Sequence, residues 1–358
     1  MKYGTFLTAI VLIFFTGCSH IGPKTVPRDR FDYNTAIADS WKEQTLLNIV
    51  KLRYADMPLF VEVASVVSGY TLESSVNLGG TVSSENAVQG DFLDFGTSGK
   101  YTDRPTITYA PITGEQFNKS FMTPIPPKLI LFLIESGWAT EMIFPIVVDA
   151  INGLRSLTAG GKHPQMGDPG FYRVIALLQE LQNSGNTSMR VVKGKDEKET
   201  TVVFISHENL SPGIDEVIKE LEKLLGLRPG SNELKITYGI IPETDQELAM
   251  HTLSMLQIMI TLAQQIDVPS EHIKGGLTIP SLISPDSSET KMGQLIKIRT
   301  APNKPENAYV SVRYKDHWFW INDGDFYSKR VFTFLMILFS LTESGSKGGL
   351  PLVTIPSG

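Results

Sequence analysis

The chain has 358 residues, of which 42% are hydrophobic and 20% are charged, and its formal net charge is −6. This balance is typical of a folded globular protein and excludes an intrinsically disordered chain. A mildly acidic chain without a basic cluster also argues against nucleic acid as a partner. The length allows roughly two or three domains, each with its own hydrophobic core.

The first residues carry the features of an export signal. An apolar run over Phe6–Phe15, interrupted only by Thr8, follows the basic residue Lys2. The run has the length of a signal h-region and is roughly half as long as a membrane-spanning helix. Cys18 follows two small residues and is the only cysteine in the sequence. A lone cysteine has no partner for a disulfide within the chain, so we interpret it as an attachment point.

Residues Phe15–Ser19 resemble the bacterial lipobox, although Phe15 stands where Leu is usual. The resemblance implies a lipoprotein precursor in which residues 1–17 are a cleaved signal peptide and Cys18 carries the lipid, palmitate included. Several acyl chains together hold a protein to a membrane durably. Ser19, where Asp would favour retention in the inner membrane, implies sorting to the outer membrane. The expected location is therefore the cell envelope, at the outer membrane and facing the periplasm.

The segment after the anchor is expected to separate the membrane from the folded body. Residues 18–33 contain prolines, a glycine and several charges, which predicts a polar tether. A helix is predicted from about Thr35 to Tyr54, because apolar residues recur at helical spacing along one side. Asp56 and Pro58 are expected to end it.

Residues 59–110 change to a pattern that is typical of strands. Apolar and polar residues alternate over 61–67 and 70–78, which predicts strands with two different faces. A further strand is predicted over Arg104–Tyr109. Glycines are expected to break the middle of this stretch into flexible turns, at positions 79, 80, 90, 96 and 99. Helices near Gly114–Met122 and Pro127–Glu135 follow, and we assign all these elements to a region over residues 34–165.

Residues 166–242 are predicted to form a small domain with the element order α-β-β-α-β. Asp168 followed by Pro169 marks the start of its first helix, and Ser211 followed by Pro212 marks the start of its second. The three strands are predicted over Arg190–Val192, Thr201–Ile205 and Leu234–Ile240. The apolar stretch before this domain, Met142–Leu154, is interrupted by Pro145 and is not assigned to a helix or a strand.

The C-terminal domain, residues 243–358, partly repeats that order. Thr244 and Glu247 form a capping box that predicts a helix to about Ile266. The expected fold class is α+β, with small mixed α/β layers, an N-terminal helix and a Gly/Ser-rich β region. The remaining elements predicted are strands over Leu295–Arg299, Ala308–Tyr314 and His317–Ile321, a helix over Ser328–Thr342 and a last strand over Leu352–Ile355.

The motifs that could carry catalysis or metal binding are weak. Two Ser-x-x-Lys matches, Ser288–Lys291 and Ser344–Lys347, do not open a predicted helix, so neither is expected to be catalytic. Asn322–Asp325 lacks the acidic spacing of a calcium loop, and we interpret it as a turn whose Asp325 or Ser328 caps the next helix. The histidines lack the spacing of metal ligands, at positions 20, 163, 207, 251, 272 and 317. We therefore expect no catalytic residue, no cofactor and no metal site.

Aromatic residues cluster in the predicted hairpin over 309–320, where Trp318, Phe319 and Trp320 are consecutive. An aromatic platform for a ligand and a pair of core strands both explain such a cluster. Because aromatic residues are enriched in strands, the pattern favours core strands.

The stretches Leu46–Pro58, Arg104–Pro111 and Trp318–Asp325 resemble an uncharacterised family of bacterial envelope lipoproteins. The resemblance covers most of the chain after the signal and implies an envelope lipoprotein. It implies no activity, substrate or site residue.

These features predict a lipid-anchored envelope protein with a non-catalytic binding or scaffolding role. Its expected partners are the membrane, through the lipid on Cys18, and another envelope protein or further copies of the chain. Two alternatives stay open. The alternation within 59–110 favours an ordinary sheet with one face exposed to water, and it is also typical of a subunit of an oligomeric outer-membrane ring or pore. A cleft that unites residues such as His163, Asp168 and His207 would instead indicate a cell-envelope hydrolase.

Overall fold

A computed structural model describes residues 21–67, 70–81, 92–103, 106–157, 167–193, 199–207, 210–281 and 294–342. It shows a mixed α+β fold, as predicted. The described chain divides into two units. The first contains the residues before 41 and residues 61–111, and the second contains residues 41–60 and the residues from 112 onward.

The N-terminal helix, α1, spans Ile21–Arg53 and therefore begins earlier than the predicted Thr35. The described part of the predicted tether is helical, with Pro27 inside the helix. A proline removes one backbone hydrogen bond from a helix, so it favours a boundary without imposing one. At the other end, the predicted apolar side is buried, and the helix ends one residue before the predicted Tyr54.

The described part of the first unit contains four strands in two antiparallel pairs: β1 (Val61–Val67) with β4 (Thr106–Pro111), and β2 (Tyr70–Thr81) with β3 (Phe92–Asp103). The predicted turns at Gly79, Gly80, Gly96 and Gly99 are wrong, because all four residues lie inside β2 or β3. Glycine weakens a strand through its conformational freedom. Here each glycine has a partner residue directly opposite on the other strand, which supplies the pairing that the local sequence does not indicate. Gly90 lies outside the described residues.

The second unit is built on a six-stranded mixed sheet with the strand order β6-β5-β10-β9-β8-β7. The predicted order α-β-β-α-β is confirmed as α5-β7-β8-α6-β9. The sheet takes strands from each of the three predicted regions, residues 34–165, 166–242 and 243–358. Its elements are β5 (Val148–Ile151), β6 (Leu154–Arg155), α5 (Pro169–Ser184), β7 (Thr187–Lys193), β8 (Glu199–Ile205), α6 (Ile214–Leu225), β9 (Glu233–Tyr238) and β10 (Glu247–Thr252).

Short helices precede this sheet. The predicted helix near Gly114–Met122 is a turn of α-helix, α2 (Gly114–Phe117), that continues as a π-helix over Asn118–Met122. The predicted helix Pro127–Glu135 is confirmed as α3. The unassigned stretch from Met142 contains the end of a third helix, α4 (Thr140–Val147), which leads directly into β5 and β6.

The predicted helix from Thr244 is wrong in its first half. Residues Glu247–Thr252 form strand β10, and the helix α7 begins only at Met255 and ends at Ala263. β10 is central in the sheet, parallel to β9 and antiparallel to β5. A central strand is buried on both faces, so β10 lacks the polar–apolar alternation that would distinguish a strand from a buried helix.

The last part of the second unit is a three-stranded sheet with the order β11-β13-β12. The hairpin Ala308–Tyr314 and His317–Ile321 is confirmed within one residue. The strand predicted over Leu295–Arg299 starts only at Arg299, and the predicted strand Leu352–Ile355 lies outside the described residues. The elements are α8 (Ser270–Lys274), β11 (Arg299–Ala301), β12 (Ala308–Tyr314), β13 (His317–Asn322) and α9 (Phe326–Thr342).

Three phenylalanines mark the centre of one part of the hydrophobic core in the second unit. The ring of Phe121 lies 4.1 Å from that of Phe60 and 4.7 Å from that of Phe339, measured between centroids. All three side chains are almost fully buried. Among the helices that the structure describes, none combines the length and the apolar character needed to cross a membrane.

Candidate functional site

Several residues singled out in the sequence lie outside the described residues. These are the lipid-attachment candidate Cys18, His163 and the two Ser-x-x-Lys segments, Ser288–Lys291 and Ser344–Lys347. Their expected roles stay predictions.

Asp168 and His207 contact the backbone. The carboxylate of Asp168 accepts a hydrogen bond of 2.7 Å from the backbone N–H of Arg155, at the start of helix α5. His207 Nε2 lies 3.5 Å from the backbone oxygen of Ser231. A general base must reach the proton that it removes, and neither of these contacts includes a nucleophile. The geometry therefore gives no support to a hydrolase built on these two residues.

The segment Asn322–Asp325 is a turn that caps helix α9, as interpreted from the sequence. Asn322 Oδ1 accepts a hydrogen bond from the backbone N–H of Gly324 at 2.9 Å. The Asp325 carboxylate accepts from the backbone N–H of Ser328 at 3.1 Å and from its hydroxyl at 2.8 Å. Within the described ranges, no three His, Cys, Asp or Glu residues form a group that could hold a metal ion.

The aromatic hairpin of β12 and β13 has one face in the core. Phe319 is fully buried, and Val310 and Val312 are buried beside it. Trp318 and Trp320 alternate with Phe319 along β13 and are only partly buried. The prediction of core strands is thus confirmed for one face of the hairpin.

A histidine and a carboxylate that the sequence did not associate lie together on the six-stranded sheet. His251 Nδ1 is 3.0 Å from Asp149 Oδ2, and Arg155 is 3.9 Å from the same oxygen. A histidine that is hydrogen-bonded to a carboxylate supplies two of the three groups of a hydrolytic triad, and the third group is a nucleophile. The contacts of His251 in the described chain include the ring of Tyr238, at 5.5 Å, and no serine or threonine hydroxyl. Pairing of β10 with β5 brings the two residues together, and no local sequence signal indicates it.

The most extended feature is the β-ribbon, which we define as the paired strands β1–β4 and β2–β3. Strands β2 and β3 pair over twelve consecutive positions, from Tyr70 opposite Asp103 to Thr81 opposite Phe92. Beyond a register shift after Val63, the pairing of β1 with β4 follows the register in which β2 pairs with β3, for example Val67 opposite Thr106. The two pairs therefore share one register over most of their length.

Successive residues of a strand alternate between its two faces, so the register divides the positions of β2 and β3 into two sets. The first set, which runs in alternate pairs from Thr71 opposite Thr102 to Thr81 opposite Phe92, is mostly polar. Glu73 lies 3.8 Å from Lys100, and the hydroxyl groups of Ser75 and Ser98 are 2.7 Å apart. The second set is mostly apolar in sequence. It pairs Leu72 with Tyr101, Val76 with Thr97, Leu78 with Phe95 and Gly80 with Leu93, and it also contains the pairs of Tyr70 with Asp103 and Ser74 with Gly99.

The ribbon has the length of a membrane-crossing strand pair. Twelve residues at about 3.3 Å per residue extend for roughly 40 Å, and a strand tilted by about 45° needs about 9–11 residues to cross the hydrocarbon layer. Within the described residues, β2 and β3 pair only with each other, so one edge of each strand has no neighbour. A two-stranded ribbon is only marginally stable by itself in water. Its two sets of positions and its open edges therefore indicate a surface that contacts another molecule.

The chain matches no known family model, no curated protein and no solved structure.

Proposed function

We propose that this chain is a lipid-anchored protein of the outer membrane that acts by binding and scaffolding rather than by catalysis. The lipobox-like segment ending at Cys18 supports the anchor and the location. The β-ribbon supports binding, because it is a long paired surface with open edges and with polar and apolar positions on separate sides.

Crosslinking of the full lipidated chain in intact envelopes tests the binding role. A photoreactive residue at position 75 or 98, where Ser75 and Ser98 are exposed, should give reproducible crosslinked products. The matched control places the same photoreactive residue at Asp215 on helix α6, which is exposed and belongs to the second unit. Products that are absent at positions 75 and 98, or identical at all three positions, would contradict a ribbon-mediated binding role.

A second candidate function is favoured by the ribbon alone: several copies form an oligomeric ring or pore in the outer membrane. Inside a bilayer every backbone N–H and C=O group needs a hydrogen-bond partner within the protein. The open edges of β2 and β3 would leave such groups unpaired, so a ribbon in the bilayer needs neighbouring copies along both edges. In this arrangement the apolar positions face acyl chains and the polar positions face water.

The two sets of positions make the ring testable by cysteine labelling. The acylated Cys18 carries no free thiol, so a single added cysteine reports on its own position. In intact membranes a charged maleimide should label Ser75→Cys and Asn77→Cys but not the neighbouring Leu72→Cys and Val76→Cys. After the membrane is dissolved in denaturant, all four should react, which controls for reactivity.

Equal labelling of all four variants in intact membranes, together with a monomer in light scattering of the detergent extract, would rule out the ring. That outcome leaves the scaffolding proposal standing, because crosslinks at positions 75 and 98 do not require insertion. Labelling that alternates along the strand while the extract is monomeric would also contradict the ring, since it would indicate a ribbon lying on the membrane surface.

A further inference from the structure

A pocket in the second unit combines aromatic walls with positive charge. It has a volume of about 540 Å³, within the range of small-molecule sites, about 300–1,000 Å³. Its wall comes from three places in the chain: the turn after α3, strand β12 and the first two turns of α9. The lining residues are Ser136, Gly137, Trp138, Tyr309, Phe326, Lys329, Arg330 and Thr333.

Two of the aromatic side chains are held in place by their neighbours. Trp138 packs against Phe334, with 5.2 Å between ring centroids. The hydroxyl group of Tyr309 is 3.2 Å from that of Thr333, and its ring lies near the edge of Phe332. Side chains that are fixed before a ligand arrives lose little conformational entropy on binding, so these two rings form a prepared wall.

The third aromatic residue, Phe326, is 73% exposed although it is the first residue of helix α9. A single exposed phenylalanine is unremarkable on a protein surface. Here the ring belongs to a pocket that also contains Trp138 and Tyr309, so a ligand with a flat apolar body would cover it.

The charges around the pocket favour an anion. Lys329 and Lys42 both lie near the face of the Tyr309 ring, at 5.7 Å and 5.1 Å from its centroid. The ammonium group of Lys329 is also paired with Asp323 at 3.0 Å, which neutralises its charge. Arg330 is exposed and has no ion pair or hydrogen bond among the described residues. Its guanidinium can offer two parallel N–H groups to a carboxylate, sulfonate or phosphate.

We propose that this pocket binds a small molecule that has a flat ring system and one anionic group, with the rings against Trp138, Tyr309 and Phe326 and the anion on Arg330. The site shares no residue with the β-ribbon and does not depend on the membrane role proposed above. It would give the second unit a ligand of its own.

Fluorescence titration of the full chain with anilinonaphthalene sulfonate, a flat anionic probe, tests the proposal. Phenylnaphthylamine has the same ring system without the sulfonate and serves as the neutral probe. Arg330→Gln should weaken binding of the anionic probe about tenfold or more, because a charge-assisted contact is lost, and should leave the neutral probe unaffected. Phe326→Ala should weaken both probes, and the exposure of Phe326 means that the variant should fold normally.

Arg313→Gln is the matched control, since Arg313 is an exposed arginine on the same hairpin as Tyr309 and pairs only with the neighbouring Asp316 among the described residues. It should bind both probes like the unchanged chain. Wild-type binding by both Arg330→Gln and Phe326→Ala would place the probe elsewhere and overturn the proposal. Equal loss of both probes in Arg330→Gln would overturn the recognition of the anion.

Discussion

The hydroxyl group of Tyr54 lies 2.7 Å from Nδ1 of His272, although 218 residues separate them in the sequence. Burial raises the pKa of Tyr54 to about 12, so the hydroxyl keeps its proton at neutral pH. The ring of His317 stands edge-on to that of His272 at 4.8 Å. The contact between Tyr54 and His272 joins the end of α1 to helix α8.

The first prediction is a loss of stability in mild acid. Burial, followed by the charges of His317 and Lys315, lowers the pKa of His272 below its ordinary 6.5. As the pH falls below about 6.5, the unfolded chain takes up a proton at this histidine that the folded chain resists. The free energy of unfolding should therefore fall with pH in this range. Urea unfolding at pH 7.5 and at pH 5 measures the effect.

His272→Gln is the control for this dependence. The variant lacks the titrating imidazole, so it should be less stable at pH 7.5 but should lose less stability on acidification than the unchanged chain. The attribution to His272 fails if both proteins lose the same free energy of unfolding between the two pH values.

The second prediction concerns Asn152, in the turn between β5 and β6. Its Nδ2 donates to the backbone oxygens of Leu225 and Glu247, and its Oδ1 accepts from the backbone N–H of Ala249 at 2.7 Å. Its φ is +43°, in the left-handed region. Asn152→Gly keeps the backbone conformation accessible but leaves partly buried backbone groups unpaired, which should cost about 2–3 kcal/mol.

Asn152→Ala separates the two contributions. Alanine also removes the hydrogen bonds, and it adds about 1–2 kcal/mol of strain in the left-handed region. Chemical denaturation should thus rank the unchanged chain above the glycine variant and the glycine variant above the alanine variant. An alanine variant as stable as the glycine variant would show that the backbone conformation at this turn contributes nothing.

The third prediction tests where helix α7 begins. Ser254 accepts a hydrogen bond from the backbone N–H of Gln257, and the Gln257 side chain accepts one from the backbone N–H of Ser254. Ser254→Ala should lower the free energy of unfolding by about 1 kcal/mol, the usual value of an N-cap. Thr244→Ala is the matched control, because Thr244 precedes strand β10 and caps no helix. A larger loss for Thr244→Ala than for Ser254→Ala would favour the helix start that the sequence predicted.

The fourth prediction concerns the anchor. Cys18→Ala removes the only thiol to which the lipid could be attached. Palmitate labelling in a Gram-negative host should disappear, and the precursor should stay uncleaved in immunoblots. Ser19→Ala leaves the cysteine in place and should be labelled normally. Unchanged labelling and fractionation of the Cys18 variant would disprove the lipoprotein prediction.

The sequence by itself determined those elements whose local pattern has one interpretation. The α-β-β-α-β segment and the hairpin of β12 and β13 were predicted because helical spacing, strand alternation and turn residues agree within each element. The same holds for α3, which has proline at its start and Gly137, with φ at +94°, just after its end. In these segments neighbouring residues carry the information that decides the structure.

Only the tertiary structure decided the elements and sites that depend on distant partners. β10 is a strand because β9 and β5 flank it, although its sequence shows no alternation and also fits a helix. β3 is a strand despite Gly96 and Gly99, because β2 pairs with it at every position.

The candidate sites follow the same rule. The pocket joins Trp138 to Arg330, and the pair Asp149–His251 joins residues 102 apart. A side chain's neighbours along the chain do not specify which surface will pack against it. The energy of burial and backbone pairing across the whole fold makes that choice.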